Sequence, residues 1–247
     1  MLIVGSLGGL LACDEYSAEE RYENVAFAEA QHSVLALDFT GQWCVNCPSA
    51  TATLETTLSN GCPLVVVSVF LPYLVDVPSM NLHCADGLTI AQSLGVDVSS
   101  APWLVADLDK STLCSDYAQW PAILCSRAEG VGASISTSVS YDSEKKIATL
   151  QCLVDTMQTN CRLLFFLTED SVCAPQMMSA NVVDNEHIHN NVLRRLLTPM
   201  CGVELGGNTY LAEFDVADNW LVEHLNLISV LTDNSGRAIQ STKTNFK

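Results

Sequence analysis

The chain is predicted to fold as an α/β unit followed by an all-β unit, the second a sandwich of short antiparallel strands. Three observations carry this. An apolar run of strand length, Ser33 to Phe39, leads through a turn holding Cys44-Val45-Asn46-Cys47 into a helical segment. Leu64 to Phe70 is β-branched and nearly unbroken, as a strand buried on both faces of a sheet should be. From Gly130 the pattern changes to period-two alternation. A length of 247 residues allows each half a core of its own. The expected boundaries are 1–13 for an export segment, 14–128 for the α/β domain and 129–247 for the β-sandwich domain.

The formal charge of −17 argues against nucleic-acid binding, which needs clustered Lys and Arg to displace counterions. The imbalance is uneven: residues 1–109 hold thirteen acids against one base, Arg21. Although 49% of residues are hydrophobic, no run approaches the roughly 18 apolar residues of a spanning helix. Eleven cysteines fit an oxidising compartment, or a set of buried thiols acting as small hydrophobes.

Taking the elements in order, Met1 to Cys13 is an apolar segment ending Leu10-Leu11-Ala12-Cys13, which resembles a bacterial lipobox. That resemblance implies cleavage after Ala12, lipidation of Cys13 and a polar, acidic tether over 14–24. Gly41 and Gln42 break the first strand pattern. Pro48 to Leu58 reads as a helix, with Pro48 early enough to be tolerated and Gly61 as terminator. A Pro-containing loop, 71–86, precedes a helix from Gly87 to Leu94. Ser111 to Arg127 has helical patterning interrupted by Pro121 and closes the unit.

This context points to redox chemistry. Cys44 at a helix amino terminus feels the positive end of the dipole, which favours the thiolate and makes it the nucleophile. Cys47, one turn in and less exposed, would resolve the mixed disulfide. The zinc alternative would recruit Cys62, His83 or Cys84, which lie in no second metal-ligand spacing, so neither metal nor cofactor is expected.

Asp38-Phe39 followed by Trp43-Cys44-x-x-Cys47-Pro48 resembles thioredoxin, as does Gly95 to Ala106 around Ala101-Pro102. The resemblance implies that Asp38 is the buried carboxylate exchanging a proton with Cys47. It also implies a cis Ala101-Pro102 bond beside Cys44, with Trp43, Ala101 and Pro102 shaping the substrate groove. Val45-Asn46 stands where thioredoxins carry Gly-Pro, and no cation is near in sequence.

The second half reads as strands at Val131–Tyr141, Ile147–Val154, Cys161–Leu167, Tyr210–Val216, Leu225–Leu231 and Arg237–Ile239. Hairpin-scale turns are expected at 142–144 and 155–160. Cys152 and Cys161 flank the latter and either pair or stay buried as thiols. His187 and His189 are assigned a structural role at the domain junction, and Arg194-Arg195 are expected to pair with surplus acids. Glu169-Asp170, Glu186 to Arg195, Trp220 and the closing strands resemble the twenty-eight-kilodalton outer membrane protein family. These are bacterial lipoproteins with a thioredoxin-like amino-terminal part and an immunoglobulin-like carboxy-terminal part, for which receptor or adhesin roles have been suggested.

Two functions follow. One is an envelope thiol-disulfide oxidoreductase anchored through Cys13 in the outer membrane, acting on protein thiols or disulfides. The other is a surface binding or adhesion lipoprotein in which Cys44–Cys47 is structural.

Overall fold

A computed structural model describes residues 30–72, 80–156 and 158–246. The export segment, Cys13, the tether and 73–79 of the Pro-containing loop lie outside these residues. The first half runs β1 (Ala30–Gln31), β2 (Val34–Thr40), α1 (Cys47–Ser59), β3 (Leu64–Phe70), α2 (Ala85–Leu94), β4 (Trp103–Ala106) and α3 (Trp120–Arg127). β2 pairs parallel with β3 and antiparallel with β4, so the order is β3-β2-β4. Every residue of β2 is buried, because helices cover both faces. Val34 and Ala36 pack against Ala50, Leu54, Trp120 and Leu124 of α1 and α3. The alternate residues Leu35, Leu37 and Phe39 meet Ile90, Ala91 and Leu94 of α2.

Local chemistry sets the helix ends. Pro48 occupies the first turn of α1, where its missing N–H costs nothing. Gly95, at φ 76°, supplies the left-handed cap of α2. Pro121 does not interrupt a long helix as expected: it opens α3, and two short 3-10 turns, Lys110–Thr112 and Tyr117–Gln119, fill the segment before it. A proline clashes in a helix interior yet is pre-set for a first turn.

The second half continues β5 (Val131–Gly132), β6 (Ser134–Asp142), β7 (Ile147–Asp155), β8 (Arg162–Glu169), β9 (Val172–Cys173), β10 (Gln176–Ser179) and β11 (Val182–Asp184). It ends β12 (Ile188–His189), β13 (Val192–Leu196), β14 (Val203–Glu204), β15 (Thr209–Asp215), β16 (Leu225–Thr232) and β17 (Ala238–Asn245). β6, β7 and β15 form one antiparallel sheet. It packs on β8 and β16 through Leu150, Phe165, Leu167, Phe214 and Leu227.

That opposing sheet is not confined to the second half. Its order is β17-β16-β8-β13-β3-β2-β4, with β13 antiparallel to β8 and parallel to β3. The join is narrow: Val192 pairs with Ser68, and the Ser68 N–H donates to the Asn191 carbonyl at 2.8 Å. The sheet also curls. Its far strand returns to the first half, where Ala238 N–H donates to Asp107 O (2.8 Å), and Ser33 N–H to Gln240 Oε1 (2.8 Å). Leu164, Phe166, Ile228 and Val230 thereby join Leu35, Leu37 and Phe39 in one cluster. β8 and β16 are accordingly buried along nearly their whole length.

The turn at 142–144 is a hairpin, but 155–160 is a corner: β7 and β8 belong to opposing sheets, so the second turn carries the chain across the sandwich. Cys152 and Cys161 contribute to the core between the sheets as free thiols. The last strand extends well beyond 237–239 because it stays paired with β16 as far as Asn245; Gln240 and Ser241 are buried, whereas Thr242 to Asn245 are partly or fully exposed.

Candidate active site

β2 delivers Thr40 to a turn whose backbone closes on itself. Cys44 N–H donates to Gly41 O (3.1 Å), Cys47 N–H to Cys44 O (3.3 Å) and Ala50 N–H to Asn46 O (3.1 Å), the last beginning α1. The Asn46 side chain makes no capping bond and no acid lies in the first turn, so the helix dipole is left for the sulfurs. Cys44 and Cys47 are joined as a disulfide. The Ala101-Pro102 peptide is cis, and Cys44 Sγ lies 3.5 Å from the Ala101 carbonyl oxygen. Half-buried Trp43 belongs to the same turn.

Asp38 shares the β2 face of Val34 and Ala36, the face packed on α1, and pairs in register with Ser68 and Leu104. It is 1% exposed and its Oδ1 has no hydrogen-bond partner. Burial pushes its carboxyl up from the ordinary 3.8 to about 7. Such a group exchanges a proton near neutral pH.

The disulfide is covered. Cys44 is 6% exposed and Cys47 2%, so both sulfurs at the amino terminus of α1 are buried, the nucleophile as well as its partner. The cover is an arm of the second half, residues 170–191, carrying the β10–β11 hairpin. Met177 N–H donates to Gln42 O (2.8 Å), and Gln176 Nε2 reaches Cys44 O (3.2 Å) and Gly41 O (3.4 Å). Gln42, itself fully buried, donates through Nε2 to Met80 O and Pro175 O and accepts the Leu82 N–H at Oε1. A cavity of about 260 Å³ remains between arm and turn, walled by Cys47, Pro48, Ser68, Phe70, Gln176 and His189. Glu55 is the one acid or base besides the two histidines among its described lining residues. Val45, Met178 and Ile188 are exposed apolar side chains around this region.

The histidine rings lie 4.8 Å apart, and His189 Nε2 is 3.2 Å from Ala174 O while its ring meets Phe70 edge-on. Burial, with His187 adding to it, pushes the His189 pKa down to about 4, so this imidazole is neutral at ordinary pH. Arg194 pairs with Glu169 at 2.7 Å, as expected of it; Arg195 instead donates to the Asp215 carbonyl and lies over Phe214. Among the described residues no group of three or more His, Cys, Asp or Glu is placed to hold a metal, and no helix is long and apolar enough to cross a membrane. Gln176 and His189 have no sequence signal linking them to the motif, since the arm reaches Cys44 across more than a hundred residues.

No family model matches the sequence, and no curated protein does either. Solved structures do match. HBP35 of Porphyromonas gingivalis aligns with a TM-score of 0.63 at 12% identity, over 88% of this chain and 76% of that one. A structural-genomics crystal structure from Agrobacterium tumefaciens aligns with a TM-score of 0.57 at 13% identity, over 88% and 96%. The likeness is one of fold, and it extends across both halves.

Proposed function

We propose that this is a thioredoxin-like thiol-disulfide oxidoreductase of the cell envelope, with Cys44 as attacking sulfur and Cys47 as resolving sulfur. The observation that carries the reading is the approach of Cys44 Sγ to the Ala101 carbonyl, beside a cis proline and at the uncompensated amino end of α1. In the reducing direction the Cys44 thiolate attacks a substrate disulfide, and the first substrate sulfur leaves. Asp38 then takes the Cys47 proton, Cys47 attacks Cys44 Sγ, and the second substrate sulfur leaves as the 44–47 bond forms. Trp43, Ala101 and Pro102 would shape the groove. The lipobox-like Leu10 to Cys13 and the likeness to the twenty-eight-kilodalton outer membrane proteins support an outer-membrane lipoprotein anchored through Cys13. The immunoglobulin-like description of the second half rests on that likeness too.

The second reading, a binding or adhesion lipoprotein with a structural disulfide, is favoured by the burial of both sulfurs under the arm. Dithiol-dependent insulin reduction separates the two. The oxidoreductase reading expects turnover that Cys44→Ser abolishes and a mixed disulfide that Cys47→Ala traps on envelope proteins; equal rates for wild type and Cys44→Ser would leave the scaffold reading.

A further inference from the structure

A second pair of sulfurs lies at the opposite end of α1. Cys47 is the helix's first residue and Cys62 lies three residues beyond its last, Ser59, so the rise of a 13-residue helix separates the pairs by about 20 Å. Cys62 is 7% exposed and anchored by its N–H to Thr57 O at 3.3 Å. Cys125 is exposed on α3, whose Trp120 and Leu124 pack in the same cluster as Cys62. Burial, then the Cys125 thiol, push the Cys62 thiol up to about 12. Both open into a cavity of about 330 Å³ with Thr53, Thr56, Asn60 and Pro121 in its wall. That volume admits a small ligand.

We propose that Cys62 and Cys125 are a second dithiol, which closes to a disulfide on reaction with a low-molecular-weight disulfide entering this cavity. Exposure fixes the order. The Cys125 thiolate attacks the external disulfide, whose own S–S bond breaks and releases one thiolate. The released thiolate takes the Cys62 proton, and Cys62 attacks Cys125 Sγ, breaking the mixed disulfide and releasing the second external sulfur as a thiolate that is protonated in turn. Two protein thiols are oxidised and one external disulfide is reduced to two thiols. The product ties α3 to the far end of α1, away from Cys44.

Oxidised glutathione is the probe, applied to the full chain with Cys44–Cys47 already closed, followed by alkylation and unreduced peptide mapping. The expected result is a Cys62–Cys125 cross-linked peptide carrying no glutathione, while exposed Cys173 and Cys201 stop at glutathione adducts. Excess reduced glutathione should clear those adducts while the cross-link survives, because its second step is intramolecular. Cys62→Ser should retain glutathione on Cys125, whereas Cys125→Ser should leave Cys62 unmodified. Wild-type protein bearing glutathione on Cys125 beside a free Cys62, or both thiols merely alkylated, overturns the proposal.

Discussion

Replacing Asp38 by Asn removes a carboxyl that the fold keeps out of water without a partner for Oδ1. The unfolded chain releases this proton near 3.8, the folded protein near 7, so between those values the folded state holds a proton that the unfolded state has lost. Stability therefore falls as pH climbs through that window and stays lower above it. A displacement of roughly three pH units corresponds to about 4 kcal/mol in full, of which about 3 kcal/mol accrues between about pH 4.5 and about pH 8.5. Asn has nearly the same shape and does not titrate, so any constant cost of the amide cancels when the two proteins are compared across pH. The assay is urea unfolding of both proteins, disulfides intact, at the two ends of that range. The variant should gain on wild type by about 3 kcal/mol toward alkaline pH. A difference between them that does not change with pH would refute the assignment of an isolated buried carboxyl under α1, and with it the proton acceptor for Cys47.

Three further outcomes follow from the packing. Gln176→Ala removes the arm's side-chain bonds to Gly41 O and Cys44 O, so reduction of Cys44–Cys47 by a small dithiol should quicken about 5- to 10-fold by stopped alkylation; an unchanged rate would clear the arm as the barrier. For His32, burial opposes the charged ring, yet its hydrogen bond to Asp107 Oδ2 (3.1 Å) and that carboxylate's charge prevail and raise its pKa above 6.5. Its charged form stabilises the junction fully below 6.5 and ceases to do so as pH rises through the folded value, so the loss on His32→Ala should shrink from about pH 6 to about pH 9 in denaturation curves. Phe165→Ala, at a fully buried ring stacked 5.3 Å from Tyr210, should cost about 3–5 kcal/mol by the same method.

What the sequence determined by itself was local. A seven-residue apolar run ending at Gly41, a proline just inside a helix and a second β-branched run specify strand, turn and helix through contacts within a few residues, and so place Cys44 and Cys47 at the start of α1. Alternation likewise marked the β6–β7 hairpin, whose partners lie close in the chain. Tertiary structure decided the rest. β13 joins β3 through one residue pair, β17 returns to His32 and Ser33, and Gln176 reaches the backbone of Cys44, all between segments more than a hundred residues apart. Short irregular strands such as β9 to β12 have too few residues for a period to show, and side-chain bonds to distant carbonyls leave no pattern in their own neighbourhood. Burial is a property of what folds over a residue, so Cys44 could be read as a helix-end sulfur from its neighbours, while its cover could be known only from the arm laid across it.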